Sequence, residues 1–347
     1  MTDSHDHMSD DNFIDSLGRP LRDLRISVTD RCNFRCQYCM PKEIFGPEFK
    51  FLRRQDIMSF EEITRIASLA TSLGVKKFRL TGGEPLLRAD LHKLIRQLHR
   101  IPDIEIALTT NGTLLKNHAQ LLAESGLDRV TVSLDSLDDQ IFRQMNDVDF
   151  PVRDVLEGIE VADRFGLGPI KVNAVVRKDV NDHTLLDLAT YFRGTPHIVR
   201  FIEFMDVGNS NGWVMDEVIP SSKVLDLIGN IFPLEQLPSN YSGEVANRFR
   251  YKDGKGEIGL ISSITAPFCE NCTRARLSAD GKFFTCLFAS GGTDLLQEIR
   301  SGATDEHLTQ ILRSIWLSRG DRYSELRTEY MRSLPEDKKI EMSYIGG

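Results

Sequence analysis

Residues 24–39 read LRISVTDRCNFRCQYC. The segment Leu24–Val28 is rich in apolar and β-branched side chains, which predicts a β-strand. Three cysteines follow it closely, Cys32, Cys36 and Cys39, in the spacing C-x3-C-x2-C. Thiolates grouped in this way favour a soft metal, either zinc or an iron–sulfur cluster. The stretch therefore predicts a metal-binding loop directly after a strand.

Outward from this stretch, similar apolar runs recur along the chain with helical patterns between them. Predicted strands lie at Leu24–Val28, Lys77–Leu80, Glu105–Leu108, Val130–Leu134, Ile170–Val176 and Val199–Phe204. Their alternation with helices predicts an α/β fold with a parallel sheet, and six such units favour a barrel or partial barrel. Active sites of these barrels lie at the rim that follows the strands.

The helices between the strands are predicted from their amphipathic patterns. Ser59 and Glu62 form the S-x-x-E pattern of a capping box, which marks the start of the first helix. Further predicted helices lie at Asp90–Arg100, Lys116–Ser125, Pro151–Arg164, Asp182–Tyr191, Asp294–Arg300 and His307–Arg319.

Composition narrows the class of protein. The chain has 347 residues and is 41% hydrophobic, which suits one large barrel with insertions. Its net charge of −8 argues against nucleic-acid binding. It has no apolar run of about 18 residues, so no membrane span is expected. It has no secretory signal either, so a cytoplasmic location is expected. Cysteines in that reducing compartment are more often metal ligands than disulfides.

Three regions are predicted along the chain. Residues 1–20 are expected to form a disordered acidic tail, because Met1–Asn12 holds four aspartates and no Lys or Arg. Residues 21–235 are expected to form the partial barrel. Residues 236–347 form a C-terminal region in which the strand–helix alternation fades, and they end in Gly346-Gly347.

The C-terminal region holds the other three cysteines, Cys269, Cys272 and Cys286, in the spacing C-x2-C-x13-C. Each triplet has three thiolates where a closed metal site takes four, so each leaves one ligand position open. Arg274 and Arg276 follow Cys272 at alternating positions, which face the same side of an extended segment. Two guanidinium groups on one side suit a triphosphate. A zinc ribbon that lacks one ligand remains an alternative at this point.

The first triplet, with an aromatic residue before its last cysteine, resembles the signature of the radical S-adenosylmethionine (SAM) superfamily. Thr81-Gly82-Gly83-Glu84-Pro85 after the second predicted strand resembles its second motif. The resemblance implies a [4Fe–4S] cluster whose fourth iron binds SAM. Glycines allow close approach of backbone to a ligand, and Glu84 or nearby carbonyls can accept a hydrogen bond from the ammonium group of SAM.

Further segments resemble the GTP 3′,8-cyclase family of molybdenum cofactor biosynthesis. They are Leu24–Arg31, Thr109–Gly112, Val132–Asp135, Lys171–Asn173 and Phe201–Met205, together with the second cysteine triplet and the terminal Gly-Gly. The resemblance implies an incomplete (βα)6 TIM-like barrel. It also implies that the C-terminal region closes this barrel and carries a second [4Fe–4S] cluster.

The same resemblance implies a set of site residues. Tyr38, Gly83, Ser133 and Met205 are expected to contact SAM, with Glu84 beside them. Arg25, Arg79, Thr109, Lys171, Arg274, Ala275 and Arg276 are expected to contact GTP, Ala275 through its backbone. The open iron of the second cluster is expected to bind guanine. Arg25 and the tail Gly346-Gly347 are expected to take part in catalysis, with the tail entering the active site.

The implied reaction makes the chain a lyase. An adenosyl radical takes hydrogen from ribose C3′, and the carbon radical attacks C8 of guanine to give 3′,8-cyclo-7,8-dihydro-GTP. The implied partners are GTP, a flavodoxin- or ferredoxin-like electron donor, the downstream cyclic pyranopterin monophosphate synthase, and a second copy in a homodimer. Two alternatives remain open: another radical SAM enzyme with an auxiliary cluster, and a zinc-stabilised binding protein that is not an enzyme.

Overall fold

The computed structural model describes residues 13–327 and 339–346. Residues 1–12 of the predicted tail and Gly347 lie outside this part of the chain. All six predicted strands are present: β1 Asp23–Ser27, β2 Lys77–Thr81, β3 Glu105–Thr110, β4 Arg129–Ser133, β5 Lys171–Val176 and β6 Ile198–Glu203. Six more follow: β7 Leu234–Leu237, β8 Asn247–Tyr251, β9 Glu257–Ile261, β10 Arg274–Leu277, β11 Lys282–Phe284 and β12 Thr293–Asp294.

The helices of the described residues are α1 Phe60–Thr71, α2 Leu91–Leu98, α3 Leu115–Glu124, α4 Asp139–Asn146, α5 Val152–Arg164, α6 Leu185–Phe192, α7 Ser221–Gly229, α8 Leu295–Arg300, α9 Asp305–Leu317 and α10 Met342–Ile345. The capping box at α1 is confirmed, because Ser59 and Glu62 exchange side-chain-to-backbone hydrogen bonds of 3.1 and 2.7 Å. Helices α4 and α7 were not predicted, since each is short and shows too few turns of apolar periodicity.

One sheet contains twelve strands of the described chain, in the order β12-β11-β10-β1-β2-β3-β4-β5-β6-β9-β8-β7. The predicted parallel core β1–β6 is confirmed, and β10 and β9 extend it in parallel at its two edges. Antiparallel strands follow at both outer edges. The fold is the expected partial TIM-like barrel. The predicted boundary at residue 235 falls inside β7, so the sheet continues through both regions.

The core lies between the sheet and the helices that surround it. In α1 one apolar face is buried, with Ile63, Ile66 and Ala70 at 0–1% exposure. The sheet contributes Leu24 and Ile26 of β1, also fully buried. Because these residues alternate with Asp23 and Arg25, the second face of β1 is left for polar side chains inside the barrel.

The predicted disorder was wrong for residues 13–20. Asp15 and Arg19 are both buried and form an ion pair of 2.6 Å. Arg19 Nη1 also donates to the carbonyl oxygens of Cys269 and Asp321, each at 2.8 Å. Buried charges of this kind persist only when they are paired. The segment therefore braces the loop of the second cysteine triplet, a role that its composition does not reveal.

Within residues 13–327 and 339–346, no helix combines the length and apolar character that crossing a membrane requires.

Candidate active site

The first cysteine triplet lies on the loop that follows β1. The amides of Gly83 and Glu84 donate to the carbonyls of Thr29 and Arg31 at 2.9 and 2.7 Å. Arg35 Nη1 donates to the carbonyl of Cys32 at 2.8 Å. The loop is thus fastened to the segment after β2, and its three thiols are partly buried and free of disulfides.

The glycines after β2 approach this loop closely. A Cβ atom at Gly82 would lie 2.5 Å from the carbonyl oxygen of Thr29, and one at Gly83 would lie 2.3 Å from that of Arg31. The predicted reason for these glycines was close approach to a ligand. The structure gives a different reason, since the tight contact is between the two loops that together form this rim.

Glu84 is fully buried and its carboxylate is surrounded by donors. It accepts hydrogen bonds from the Leu86 amide at 3.0 Å, the Thr110 hydroxyl at 2.7 Å and the Asn111 amide at 2.7 Å. Burial raises the pKa of Glu84 to about 7. The side chain thereby joins the end of β2 to the end of β3.

A second buried carboxylate supports the triplet. Tyr38 donates its hydroxyl to Asp135 Oδ2 at 2.8 Å, and Asp135 Oδ1 accepts from the Val175 amide at 2.8 Å. Burial raises the pKa of Asp135 to about 6. Asp135 was not among the predicted site residues, although it ends the segment Val132–Asp135. The sequence did indicate a site residue here, because Asp135 directly follows a predicted buried strand.

Carboxylates accompany each thiol of the first triplet. Burial raises the pKa of Cys32 to about 11, with Glu84 as the largest charge contribution. Burial also raises the pKa of Cys36, with Cys32 and then Asp135 contributing, and that of Cys39, with Cys32 and then Glu341 contributing. Two buried carboxylates, Glu84 and Asp135, therefore act on this triplet, together with its own thiols and with Arg35.

The second triplet lies at the opposite end of β1. The carbonyl of Thr273 accepts from the amides of Arg22 and Asp23, at 2.9 and 3.2 Å, where β1 begins. Cys272 directly precedes Thr273, so it lies near the start of β1. Cys32 comes five residues after β1 ends. At about 3.3 Å per residue, roughly 15 Å of strand separates the two ends.

Guanidinium groups surround this second triplet. Arg274 Nη2 contacts Cys272 Sγ at 3.2 Å, and Arg319 Nη1 donates to the Cys272 carbonyl at 2.7 Å. Burial acts to raise the pKa of Cys272, but Arg274 and Arg319 together lower it by more. The pKa of Cys272 is therefore about 6. Burial and Asp321 raise the pKa of Cys286 to about 12.

Between the two triplets, three arginines stand in a row. Arg25 of β1 is in register with Arg79 of β2 and with Arg276 of β10, so the three side chains project to the same side. Burial, together with the charges of Arg276 and Arg79, holds the pKa of Arg25 well below its usual range. The Nε atoms of Arg25 and Arg79 are buried and have no partner in the described residues. Asp23 opposes this shift in the pKa of Arg25, but its effect is smaller than the effects of burial and of the two neighbouring arginines.

Two further cations extend the row around the barrel. Burial, followed by the charges of Arg200, Arg129, Lys77 and Arg79, lowers the pKa of Lys171 to about 7. Arg200 of β6 is itself buried and donates from Nε to Asn173 Oδ1 at 2.9 Å. Arg200 was not predicted as a site residue. The signal was present in the sequence, because an arginine inside an otherwise apolar strand needs a partner.

The structure places four other predicted residues along the same barrel. Thr109 Oγ1 accepts from Arg79 at 3.3 Å, and Ser133 ends β4 opposite Asn173. Met205 follows β6 and packs against a small core at Val207, Phe288 and Tyr323. Ala275 is fully buried opposite Leu24, on the face away from the arginines, so only its backbone can reach a ligand from there.

The C-terminal tail reaches the row of arginines. Arg276 Nη1 donates to the carbonyl of Gly346 and lies 3.5 Å from that of Ile345, which is fully buried. A Cβ atom at Gly346 would meet Thr81 Cγ2 at 2.1 Å, and the residue has a φ of +76°. Glycine is therefore required here both by space and by conformation. Gly347 lies outside the described residues.

The three thiols of each triplet form a donor set that an iron–sulfur cluster or zinc takes. Within each triplet the thiols contribute to one another's pKa, so they lie near one another. Over residues 13–327 and 339–346, no group of three or more His, Cys, Asp or Glu side chains is placed to hold a single metal ion.

Comparison with known proteins agrees with this geometry. The family model described as Radical SAM superfamily matches residues 26–192, and the one described as Molybdenum Cofactor Synthesis C matches residues 197–325. Two proteins named GTP 3′,8-cyclase, from Acidothermus cellulolyticus and Staphylococcus haemolyticus, are 53% and 50% identical. Each comparison covers 96% of this chain and 98% of the relative.

The fold also resembles a solved structure. SuiB of Streptococcus suis bound to S-adenosylmethionine aligns with a TM-score of 0.61 at 16% identity, covering 93% of this chain and 72% of that chain. At this identity the likeness concerns the fold alone.

Proposed function

The chain belongs to the radical SAM superfamily and, within it, to the GTP 3′,8-cyclase family, and from this membership we propose how its residues convert GTP to 3′,8-cyclo-7,8-dihydro-GTP. The observation that carries the proposal is the change of charge along β1. Carboxylates accompany the first triplet, and arginines occupy the space from Arg25 to the second triplet. SAM carries a net positive charge and GTP a highly negative triphosphate, so each substrate has a matching end.

At the first triplet, Cys32, Cys36 and Cys39 would hold a [4Fe–4S] cluster. SAM would contact the backbone at Tyr38 and Gly83, with Ser133 and Met205 further along the rim. Glu84 and Asp135 act as positioning residues, because they fix the loops that carry these contacts. When bound together, the cluster and SAM supply a 5′-deoxyadenosyl radical.

At the other end, the arginine row binds the triphosphate. Among the described residues, the buried Nε atoms of Arg25 and Arg79 have no hydrogen-bond partner, so a phosphate oxygen can accept from them without breaking an existing hydrogen bond there. Arg274, Arg276 and Lys171 surround the same space, and Thr109 and the Ala275 backbone line it. Arg200 joins this set. The row holds GTP between the triplets, with ribose C3′ toward SAM and guanine toward the second triplet.

The second triplet, Cys269, Cys272 and Cys286, would hold a second [4Fe–4S] cluster, beside which guanine would lie. Although burial raises the pKa of Cys272, Arg274 and Arg319 lower it more. Loss of the C3′ hydrogen atom and formation of the C3′–C8 bond leave one unpaired electron on the purine, and uptake of one electron from the reductant and one proton completes the 7,8-dihydro product. Fixing guanine keeps C8 near ribose C3′ for this step. Positioning of this kind lowers the entropic part of the barrier.

The tail completes the substrate space. Gly346 reaches Arg276 from the Thr81 side, where the backbone is thin enough to pass. It orients Arg276 for the triphosphate and excludes water from the radical chemistry.

Several finer assignments complete the proposal. The enzyme is a lyase of the cytoplasm that takes electrons from a flavodoxin- or ferredoxin-like protein. Its product passes to cyclic pyranopterin monophosphate synthase. A homodimer is also predicted.

The deciding experiment is anaerobic incubation of the reconstituted protein with SAM, GTP and dithionite. Mass analysis should give a product isomeric with GTP and one 5′-deoxyadenosine for each product formed. GTP deuterated at C3′ should transfer its deuterium to 5′-deoxyadenosine. Recovery of unchanged GTP would refute the proposed reaction, and modification of an added peptide would favour the alternative of another radical SAM enzyme.

A further inference from the structure

A pocket of about 990 Å3 opens on the surface beside the first cysteine triplet. It is formed by the segment that follows the metal-binding loop, and basic and aromatic side chains dominate its lining. Its lining includes the basic and aromatic residues Arg31, Arg35, Lys42, Phe45, Phe49, Lys50, Phe51 and Arg53. None of the residues assigned to SAM or GTP lines this pocket.

The segment that forms the pocket is basic in an acidic chain. Residues 31–56 hold six Lys or Arg and three Asp or Glu, a net charge of +3, whereas the whole chain has −8. Two of these cations form ion pairs with carboxylates: Lys42 with Asp147 at 2.9 Å and Arg53 with Asp56 at 2.7 Å. Arg31 and Lys50 are exposed and form no ion pair in the part of the chain that the structure describes.

Three phenylalanine rings give the pocket an apolar wall. Phe49 lies between Phe45 and Phe51, with ring centroids 4.6 and 4.8 Å away. The guanidinium carbon of Arg31 lies 5.4 Å from the Phe51 ring centroid. Phe49 is 38% exposed, so part of this wall faces solvent. Exposed aromatic groups flanked by cations are typical of surfaces that bind another protein.

The pocket is joined directly to the metal-binding loop. Arg35 donates from Nε to the Phe45 carbonyl at 2.9 Å and from Nη1 to the Cys32 carbonyl at 2.8 Å. One guanidinium group therefore connects the pocket wall to the backbone of the first cysteine. A group seated in the pocket would lie close to whatever the first triplet holds.

We propose that this pocket is the docking surface for an acidic electron carrier of the flavodoxin type. The inference rests on the proposed function, because the first triplet is where an electron must enter. The carrier's negative surface is attracted by Arg31 and Lys50, and the exposed edge of its flavin packs against the phenylalanine wall. In the transfer the carrier loses one electron and the cluster gains it, with no atom exchanged.

Binding is the first test. Oxidised flavodoxin is titrated into the reconstituted protein and its variants, and the dissociation constant is measured at low and at raised salt. R31E/K50E should weaken binding at least about tenfold at low salt, and Lys50→Glu alone, which leaves the neighbour of Cys32 intact, about threefold. Salt should reduce both differences. Equal affinity of unmodified protein and R31E/K50E would overturn the proposal.

A matched control changes the same charge at the opposite edge of the sheet. Lys252 and Lys255 are exposed in the turn before β9, at the edge where the parallel strands begin. K252E/K255E should bind flavodoxin within about twofold of the unmodified protein. A loss equal to that of R31E/K50E would mean that net charge alone attracts the carrier, and would overturn the assigned surface.

Electron delivery is the second test. With reduced flavodoxin, R31E/K50E should slow cluster reduction, followed by flavin absorbance, at least about tenfold. With dithionite, its GTP conversion should match that of the unmodified protein. An equal loss with both reductants would place the defect in the cluster loop and overturn the proposal. A ferredoxin that binds more tightly than flavodoxin would overturn the choice of carrier. Failure of GTP conversion in the unmodified protein with dithionite would instead refute the proposed function.

Discussion

The first cysteine triplet occupies eight residues of one loop, whereas the second spans eighteen residues and continues past β10 and β11. Buried carboxylates accompany the first, and Glu84 and Asp135 are among the charges that raise the pKa of its thiols. Guanidinium groups surround the second, where Arg274 and Arg319 lower the pKa of Cys272 to about 6. Cysteine thiols therefore lie in surroundings of opposite charge at the two ends of one barrel.

This difference separates two roles that the cysteine spacing alone cannot distinguish. In the proposed function, the carboxylates at the first triplet favour the cationic cosubstrate and the arginines at the other end favour the triphosphate. Charge would then give the two substrates one orientation in the barrel.

The largest effect is expected from removal of each triplet. Replacing Cys32, Cys36 and Cys39 with alanine should remove about four of about eight irons and reduce SAM cleavage to background. Replacing Cys269, Cys272 and Cys286 should remove a similar share of iron, keep SAM cleavage measurable and stop formation of the cyclised product. Iron content, 5′-deoxyadenosine and product are measured on the same samples. Loss of all iron in either variant would show that the two sites are not independent.

The next effect concerns the tail that reaches the basic end. Deleting Gly346 and Gly347 should lower product formation at least about tenfold while iron content stays unchanged, because Arg276 loses its contact with the tail. Gly346→Ala should lower it as well, since the new Cβ would meet the Thr81 methyl group. Thr81→Ser removes that methyl group, so the double variant should recover part of the activity. Full activity after deletion would remove the tail from the mechanism.

Much of this arrangement follows from local sequence patterns. The six strands, the capping box at Ser59 and the cysteine spacing are local signals, and the structure confirms the first two. The opposite placement of the triplets is not local. It depends on the pairing of β10 with β1, whose partners are about 250 residues apart. A pattern within one segment cannot reveal that neighbour.

Buried polar contacts explain the remaining differences. Arg19 belongs to the fold because Asp15 pairs with it and two distant carbonyls accept from it. Glu84 belongs to a loop junction because Thr110 and Asn111 supply its donors. In both cases the residue type was visible in the sequence, but its partners come together only in the folded chain.

A smaller effect is expected from the centre of the arginine row. Arg25→Met should weaken GTP binding roughly tenfold to a hundredfold, because a charge-assisted hydrogen bond contributes about 1.5–3 kcal/mol. Guanosine binding should change little. The free energy of unfolding without GTP should rise, by ~1 kcal/mol or more, because the buried charge lies beside two other arginines. Calorimetry measures both quantities.

Arg129→Met provides the matched control for Arg25→Met. Arg129 Nε donates to Glu105 Oε1 at 2.9 Å, so this cation already has its partner. Its removal should lower the free energy of unfolding and leave GTP affinity within about threefold. An equal decrease in the free energy of unfolding in both variants would show that Arg25 is not a destabilising charge that binds an anion.

The smallest effect is a pH dependence of GTP binding that distinguishes Lys171 from the arginines. Burial and the surrounding cations lower the pKa of Lys171 to about 7, so the GTP-free protein holds it increasingly neutral above that pH. The triphosphate favours its charged form, and binding must then take up a proton. GTP affinity should therefore fall as pH rises from about 7 to 9, by at most about tenfold per pH unit. Lys171→Arg, whose side chain stays charged, should flatten this slope in the same titrations. An unchanged slope in that variant would assign the proton to another group, and the basic end would then bind GTP through permanently charged arginines alone.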